Sequence, residues 1–446
     1  SVTFLQDSTE KLKALAPFIF PMAEAAVGRF ELLTGGYRIR ESLSTIDSML
    51  SKHAGELAIA IRTLSASMTA DNQKFAESFD DQHVSCALEV LKVAGVFQRS
   101  LADFEAMTKD RTNLLAQRMI AYAAQEKELE EGLSGSSKAF LLPDALSVVE
   151  IDSLVTKAAL GSNLDDESNA AALQRIEALY PEARDATNRL ARSCHAFVFD
   201  VCSAVPRKHL ENMSFMSCWT KEETGGFSMD SYGTLPQQYI TLVGEHMLAL
   251  VQALEPFASD PESLALANEV MGGVRSVSIQ PWRDLVSAIN APESAADSLV
   301  NGKELLEYIE SQFEDVADEE EGGEDEQLDE AEKASAAFCN QWLDVVGLAM
   351  TGRLLERIVR ITRFTTKGCD HLAADLNYLS NVLMALGVSG HPHPLVHHVA
   401  NVVIMDASEL RTQISSRKSS HRNTSLVVAL RLLEERIASL RGVAYN

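Results

Sequence analysis

The sequence lacks the features that mark several common classes of protein. It has six cysteines in 446 residues, and aromatic residues make up only 6% of the chain. Six cysteines in so long a chain do not form a disulfide framework, so we expect free thiols in a reducing, cytosolic compartment. No run of about eighteen apolar residues occurs, and the sequence therefore predicts no membrane-spanning helix. The sequence also begins at Ser1 without a signal peptide, and we expect a fragment whose N-terminal part is missing.

Basic residues are scarce as well. Lys and Arg number 39 against 64 Asp and Glu, which gives a net charge of −25. Residues 314–332 hold twelve of these acids and no base, and the rest of the chain is still acidic without them. Nucleic-acid binding needs basic patches, and attraction to an anionic bilayer needs clusters of Lys and Arg. We therefore expect no nucleic-acid partner, and association with a membrane only through other proteins.

The chain is rich in the residues and spacings of amphipathic helices. Apolar residues recur every three or four positions in long segments, and this spacing predicts helices. Three long helices are predicted before residue 132: one with a capping box at Asp7 and Glu10 and a kink at Pro21, one at residues 37–68, and one at 81–128. The inward face of the first helix is predicted to hold Leu12, Leu15, Phe18, Ile19, Met22, Ala26, Phe30 and Leu33.

Breaks in this pattern divide the chain into three predicted helical bundles. The predicted fold class is all-α, an elongated rod of stacked antiparallel helical bundles, because helices of about 45–70 Å joined by short polar turns do not make a compact globule. The first bundle covers residues 1–132, and a Gly/Ser-rich linker separates it from the second at 138–233. The third, at 234–446, carries the acidic run 314–332 as a disordered insert. Smaller features are loops at 69–80 and 214–233 and a weak strand at 274–279.

Two clusters contain residue types that bind metals or act as nucleophiles, and in each case a structural role is the stronger interpretation. Four histidines within residues 391–398 accompany two prolines in a loop, with no Cys or carboxylate nearby in the sequence. Cys194 and Cys202 are spaced to share one helical face, which favours buried core thiols over a nucleophile or a zinc pair with His195. No phosphate-binding glycine loop or hydrolase motif occurs. The sequence therefore predicts no enzyme and no catalytic, cofactor-binding or metal site. The four histidines are His391, His393, His397 and His398.

The three tryptophans are expected as anchors in a core or in an interface, where one of them could be a hot spot. They are Trp219, Trp282 and Trp342.

One segment carries a family resemblance. Residues 234–257, TLPQQYITLVGEHMLALVQALEPF, are predicted to form a packing helix that Thr234 and Gln237 cap and that ends before Pro256. Two segments resemble the family of subunit seven of the conserved oligomeric Golgi complex, a vesicle-tethering assembly. They are LPQQYITLVGEHMLAL in this helix and AADLNYLSNVLMALG at 373–387. The match is looser at FCNQWLDVV and LERIVRI and faint over residues 1–200. The two matching segments are expected to pack in one core through residues 248–254 and 376–383.

The resemblance implies a non-enzymatic subunit of a Golgi vesicle-tethering complex. Such a subunit acts in retrograde intra-Golgi transport and in the maintenance of glycosylation, and it lies as a peripheral membrane protein on the cytosolic face of the Golgi apparatus. The implied partners are subunits five, six and eight of the same complex, and SNAREs, coiled-coil tethers or small GTPases are further possibilities. The alternatives are a helical scaffold of another tethering complex such as exocyst, or a helical lipid-binding bundle.

Overall fold

A computed structural model describes residues 2–34, 39–69, 72–77, 79–132, 179–220, 235–289, 330–418 and 425–444, together with Glu307. Every regular element in these ranges is a helix, which confirms the predicted all-α fold class. The rod shape and the division into three bundles remain predictions. The α-helices are α1 (Val2–Leu15), α2 (Ile19–Thr34), α3 (Ile39–Thr69), α4 (Asn72–Glu77), α5 (Asp81–Gly132), α6 (Pro181–Cys202), α7 (Ala204–Glu211), α8 (Gln238–Ala258), α9 (Pro261–Asn268), α10 (Gln280–Ile289), α11 (Glu330–Val359), α12 (Thr366–Ala385), α13 (Pro394–Ile404), α14 (Ala407–Lys418) and α15 (Ser425–Leu440). Short 3₁₀ turns lie at Ala16–Phe18, Met213–Phe215, Ser217–Trp219 and Val274–Ser278.

The N-terminal helices pack around α6. The long helices α3 and α5 both lie against α6, whose apolar face, including Phe197, is fully buried. Tyr180 precedes α6 and supplies no side-chain cap. Instead, the carboxylate of Asp47 on α3 accepts the backbone N–H groups of Glu182 and Ala183 at 3.1 and 2.8 Å. The start of α6 is therefore fixed by a residue far away in the sequence.

Helix α8 connects the N-terminal and C-terminal parts of the described chain. It packs against α5 and α7 and also against α11 and α12. Nearby, α9 crosses α5 so closely that a Cβ atom on Gly95 would overlap the backbone carbonyl of Leu266. The buried core is consequently continuous from the first helices to the last ones.

Helix α11 is the central element of the C-terminal part. It packs against α8 and α10, and its end is joined to α15 by a hydrogen bond from the Phe364 N–H to the Leu440 carbonyl at 2.8 Å. On α10, the indole Nε1 of Trp282 donates to the Leu348 carbonyl at 3.1 Å. Gly352 leaves room for that ring, because a Cβ atom there would lie 2.9 Å from it. These contacts hold α10 alongside the C-terminal half of α11.

The predictions for long, strongly periodic segments are confirmed. Helices α3 and α5 begin and end within a few residues of their predicted bounds, and so does α15, for which the apolar spacing predicts a helix at 426–441. Gly387, with φ of +67°, follows α12 as the predicted stop. The predicted common core of α8 and α12 is confirmed at most of its positions, but Leu248 is wrong, since it is 49% exposed. The buried positions are Leu250, Leu254, Leu376, Leu379 and Leu383.

Several short elements differ from their predictions. The first predicted helix is divided by the turn at Ala16–Phe18 instead of bending at Pro21. The predicted loop at 69–80 contains α4, which buried Phe75 anchors. Part of the predicted loop at 214–233 forms 3₁₀ turns that end at the fully buried Trp219, and residues 221–233 lie outside the described residues. In each case a tertiary contact of one aromatic or apolar side chain decides the local structure.

The weak strand predicted at 274–279 is wrong, because Val274–Ser278 forms a 3₁₀ turn. Prolines also end fewer helices than predicted. Pro206 predicts the end of a helix at residue 205, but it lies in the first turn of α7, where its missing N–H costs nothing. Helix α8 continues through Pro256 to Ala258. Thr234 lies outside the described residues, and α8 begins later than predicted.

The bounds of α11 and the cap of α12 also differ. Helix α11 begins at Glu330, so the last residues of the predicted disordered insert 314–332 are helical, and it ends at Val359. The sequence predicts Asp370 as the cap of α12, but the cap is Thr365, whose hydroxyl accepts the Gly368 N–H at 3.1 Å. Residues 133–137 of the predicted linker and 314–329 of the acidic run lie outside the described residues. None of the helices in the described ranges is long and apolar enough to cross a membrane.

Candidate interaction surface

The first two histidines of the predicted loop make separate, buried contacts. The Nε2 atom of His391 lies 3.1 Å from the hydroxyl of Thr351 on α11. His393 packs on Trp282, with ring centroids 5.0 Å apart, and its Nδ1 accepts the N–H of Leu395 at the start of α13. Burial lowers the pKa of His393 to about 3, so this ring is neutral at physiological pH. Both histidines therefore fix the loop to the core.

The other two histidines lie on α13 and face different groups. The Nε2 atom of His397 is 3.1 Å from the side-chain amide of Asn401. The Nε2 atom of His398 is 2.9 Å from the fully buried carboxylate of Glu434, which also lies 2.8 Å from Arg417. No carboxylate lies near these histidines in the sequence, but α15 brings Glu434 to His398 in the fold. The four rings do not converge, and across the described ranges no group of three His, Cys, Asp or Glu side chains is placed to hold a metal ion.

The cysteine pair lies on the buried face of α6, as its spacing predicts. Cys194 and Cys202 are both fully buried, and burial raises the pKa of each thiol to about 12. His195 is also fully buried, and burial lowers its pKa to about 4. Thiols with such a high pKa do not form the reactive thiolate at neutral pH. The prediction of core thiols is confirmed.

All three tryptophans belong to the core of this chain. Trp219, Trp282 and Trp342 have no exposed side-chain surface. The indole of Trp219 donates to the Met213 carbonyl at 2.6 Å, and Trp342 packs near His195 with ring centroids 6.4 Å apart. Their interpretation as core anchors is confirmed, and none of them lies on an exposed interaction surface.

The two segments that carry the family resemblance meet at Asp375. This residue of α12 has no exposed surface, and its carboxylate accepts the backbone N–H of Gln237 at 2.6 Å and the hydroxyl of Tyr239 at 2.7 Å. It therefore caps the start of α8 from another helix. One turn further along α8, Gly244 gives space to Tyr378 of α12, whose hydroxyl would lie 2.7 Å from an added Cβ. These contacts depend on the residue types at Asp375, Tyr239 and Gly244, and they offer no exposed group to a ligand.

The exposed apolar residues are concentrated on α1, α2 and the turn between them. Phe18 is 63% exposed, and Met22 and Leu33 are 53% and 84% exposed. Met22 and Leu33 are eleven residues apart and so lie on the same side of α2, about 20° from each other at 100° per residue. We name this set the α1–α2 surface. It comprises Leu15, Phe18, Met22, Leu32 and Leu33.

The opposite side of α2 faces the protein. Phe20, Ala23 and Val27 are buried there, and α2 packs against α3 and α5. Within α2, Met22 and Leu33 lie about 16 Å apart along the helix axis at 1.5 Å per residue, which is three helical turns. Exposed apolar side chains grouped in this way are typical of an interaction site.

Sequence periodicity assigned this surface to the core. Four of the residues predicted to face inward, Leu15, Phe18, Met22 and Leu33, are exposed, and the buried face of α2 is a different one. A helix that is apolar on two sides must be covered on two sides, or it leaves one side for a partner. The segment IFPMAEAAVGRFELLT has this composition. Apolar residues on more than one side of α2 are the sequence signal from which the α1–α2 surface could have been predicted.

The amino-acid sequence of this chain matches a known protein family. Residues 2–276 match the family model described as Golgi complex component 7. The chain is similar to subunit 7 of the conserved oligomeric Golgi complex from Arabidopsis thaliana, with 21% identity across 86% of this chain and 42% of the plant protein. It is similar to the Rattus norvegicus subunit 7, with 22% identity across 98% of this chain and 50% of the rat protein.

A short segment is more similar. The Dictyostelium discoideum subunit 7 is 40% identical over 55 residues, which are 12% of this chain and 6% of that protein. No solved structure matches this chain. The chain spans about half the length of the curated relatives that it matches most extensively.

Proposed function

This chain belongs to the Golgi complex component 7 family, and from that membership we propose that it acts as a subunit of the conserved oligomeric Golgi complex, in vesicle tethering during retrograde intra-Golgi transport. The observation that carries the proposal is the similarity to subunit 7 along 98% of this chain. The all-helical architecture with a long exposed apolar surface is consistent with a scaffold. Nothing in the structure favours the exocyst or lipid-binding alternatives.

The proposed partners are subunits five, six and eight of the same complex, and the proposed location is the cytosolic face of the Golgi apparatus. The net charge of −25 supports membrane association through partner proteins rather than through direct adsorption to anionic lipid. We further propose that the chain has no enzymatic activity. In support, Cys194 and Cys202 are buried with raised pKa values, and the four histidines make separate structural contacts.

The α1–α2 surface is the proposed site of contact with a helix of another subunit. Met22 and Leu33 lie on one side of α2, about 16 Å apart along its axis, and this spacing suits the apolar stripe of a partner helix. Exposed Arg29 lies between Met22 and Leu33 on the same side of α2, so a partner helix there would also meet one positive charge.

A pull-down tests the proposed function. The full chain, carrying an affinity tag, is incubated with Golgi-containing cytosol, and the recovered proteins are identified by mass spectrometry. We expect recovery of other subunits of the conserved oligomeric Golgi complex. Recovery of none of them, with a bound lipid or a metal in their place, would overturn the proposal.

A further inference from the structure

We propose that a groove between α8, α9 and α11 binds a basic amphipathic helix of another protein. The three helices pack against one another, and a space of about 670 Å³ lies open between them. We name this space the α8–α9–α11 groove. Its lining comes from the end of α8 (residues 251–259), from α9 (261–268) and from the start of α11 (331–339). The inference does not depend on the proposed function.

The base of the groove is apolar and is held by the core. Ala258 and Leu264 line it and are only 2% and 7% exposed. Next to Ala258, the ring of Phe257 stacks on Phe338 with ring centroids 5.4 Å apart, and this contact joins α8 to α11. The groove is therefore formed by three packed helices and not by a loop.

Small side chains line the walls of the groove. Ala265 on α9 and Ala331 on α11 are exposed, and Ala334 on α11 is partly buried. Alanine allows a partner helix to approach closely, since the distance between packed helix axes, about 8–10 Å, depends on the side chains at the contact. Each wall spans about 10–12 Å at 1.5 Å per residue, which is two helical turns. The groove therefore suits a short length of helix with small or aliphatic residues on one face.

The exposed side chain of Leu248 extends the apolar lining along α8. Leu248 lies one turn before Val251, and Glu255 and Ala258 follow at steps of three or four residues, so these positions share one side of the helix. Leu248 is 49% exposed, although many other apolar side chains of α8 belong to the core. From Leu248 to Ala258 this side of α8 measures about 15 Å. A partner helix of about three turns can therefore contact α8 along this length.

The charges of the groove favour a basic partner. The charged residues that line it are Glu255 and Glu332, both exposed, and no Lys or Arg is among its described lining residues. Burial and the negative charge of Glu255 raise the pKa of the Cys339 thiol on α11, so Glu255 acts across the groove. Exposed Asp260 lies between α8 and α9 and adds an acid, and Lys333 is the one base beside Glu332 in the sequence. Lys or Arg side chains of a partner helix therefore meet opposite charge at the groove.

Other occupants suit the groove less well. The residues before α11 in the sequence, 314–329, hold ten acids and no base, so their charge has the same sign as that of the lining. An extended strand pairs with a free sheet edge, whereas the groove is built from helices. A small molecule is bound by a site that buries most of its surface, and this groove is open. An amphipathic helix with aliphatic residues on one face and Lys or Arg beside them matches both the shape and the charge.

A designed peptide tests the charge of the groove. The fluorescent peptide has about fifteen residues, with alanine and leucine along one side of a helix and lysine along the other, and it is titrated with the full chain. We expect saturable binding that weakens as salt is raised. Glu255→Lys with Glu332→Lys should weaken binding at least tenfold. The matched control is Glu56→Lys with Glu211→Lys, two exposed acids on α3 and α7, which changes the net charge equally and should leave binding within twofold.

Filling the groove tests its shape. Ala265→Trp with Ala331→Trp places two large rings on the walls and should weaken binding of the same peptide at least tenfold. The control is Ala102→Trp with Ala106→Trp, two exposed alanines on α5, which should have no effect. Circular dichroism verifies that each variant keeps its helices.

A scrambled peptide of the same composition, with leucine and lysine distributed around the helix, separates recognition from attraction between opposite charges. We expect it to bind at least tenfold more weakly than the designed peptide. Absence of binding by the designed peptide, or equal binding of the two peptides, would overturn the proposal. Binding that the two lysine substitutions weaken but the two tryptophan substitutions leave unchanged would overturn it as well, because attraction to acidic charge alone would then explain the result.

Discussion

Three aspartates connect helices that are distant in the sequence. Asp47, Asp344 and Asp375 are at most 6% exposed, and each accepts a backbone N–H group from another element. Burial raises the pKa of all three carboxyl groups, and that of Asp375 to about 6. The hydrogen bonds that they accept favour the ionised form and oppose this shift. Each aspartate thus accepts hydrogen bonds from backbone N–H groups at a helix start or in a loop, and its burial costs desolvation free energy.

The raised pKa of Asp375 predicts a pH dependence of stability. In the unfolded chain this carboxyl titrates at its ordinary value of 3.8, whereas in the folded chain it titrates at about 6. Between these values the folded chain holds a proton that the unfolded chain has lost. The contribution of Asp375 to the free energy of unfolding is therefore fully present below about pH 3.8 and is lost as the pH rises through about 6.

Asp375→Asn removes this titration. From pH 4 to pH 7 we expect the free energy of unfolding of the variant to improve relative to the unaltered chain by about 2 kcal/mol, since each pKa unit corresponds to about 1.4 kcal/mol and part of the titration lies below pH 4. Urea unfolding at several pH values measures the difference. The control is Asp370→Asn, an exposed residue on the same helix. Parallel pH profiles for the Asp375 variant and the unaltered chain would show that this carboxyl does not titrate as described.

A pair of leucines tests the packing of α8 on α12. Leu379 on α12 is 2% exposed, while Leu248 on α8 is 49% exposed. Leu379→Asp should lower the free energy of unfolding by about 3–5 kcal/mol, because it buries an unpaired polar or charged group. Leu248→Asp should change it by less than about 0.5 kcal/mol. Thermal or urea unfolding of the two variants measures both values, and similar effects at the two positions would contradict the assigned packing.

At the scale of helices, two glycines test how closely α5 and α9 approach each other. Gly95→Ala on α5 should destabilise the fold despite the higher helix propensity of alanine, because the new Cβ meets the Leu266 backbone of α9. Gly55→Ala on α3 should stabilise the fold by about 0.5–1 kcal/mol, since nothing lies within 4 Å of its Cβ position. Urea unfolding of both variants is the measurement. A stabilising Gly95→Ala would mean that the two helices are not in backbone contact.

The predicted helices agree with the structure where a single buried face sets the spacing of the apolar residues. Helices α3, α5 and α15 have many apolar residues at regular spacing, and their bounds follow from the sequence. Helix α4 is six residues long and depends on the burial of Phe75 by distant elements, so no local pattern indicates it. The caps differ for the same reason: Asp375 caps α8 from another helix, which no local capping rule can predict.

At the candidate interaction surface the sequence predicts the helices but assigns exposed residues to their buried face. The periodicity of α1 and α2 permits more than one apolar face, and the sequence does not say which one meets α3 and α5. The buried face holds Phe20, Ala23 and Val27, whereas Met22 and Leu33 on the face predicted to be inward are exposed. Knowledge of the partner helices was needed to separate the core face from the interaction face.

At the scale of the whole molecule, the described helices share one continuous core while the α1–α2 surface stays uncovered. The net charge of −25 keeps such a chain soluble and selects against anionic partners over most of its surface. The partner recognition that we propose therefore rests on apolar contact at the α1–α2 surface. This combination is what a helical subunit of a larger assembly requires.

The α1–α2 surface can be altered without loss of the fold. Phe18→Asp with Leu33→Asp places charges on two exposed side chains, and we expect the midpoint of thermal unfolding to shift by less than about 2 °C, because surface substitutions have small effects on stability. Phe215→Asp is the matched control, since Phe215 is 78% exposed and lies outside the α1–α2 surface. A large loss of stability in the double variant would show that these residues are part of the core.

Co-expression with subunits five, six and eight of the conserved oligomeric Golgi complex tests the central claim most directly. The amount of each subunit that co-purifies with the tagged full chain is measured for the unaltered chain, for the Phe18→Asp and Leu33→Asp double variant, and for Phe215→Asp. We predict that the unaltered chain and the Phe215 variant retain at least one subunit and that the double variant retains at least tenfold less of it. Co-purification of none of the subunits with the unaltered chain, or equal co-purification with the double variant, would contradict the account.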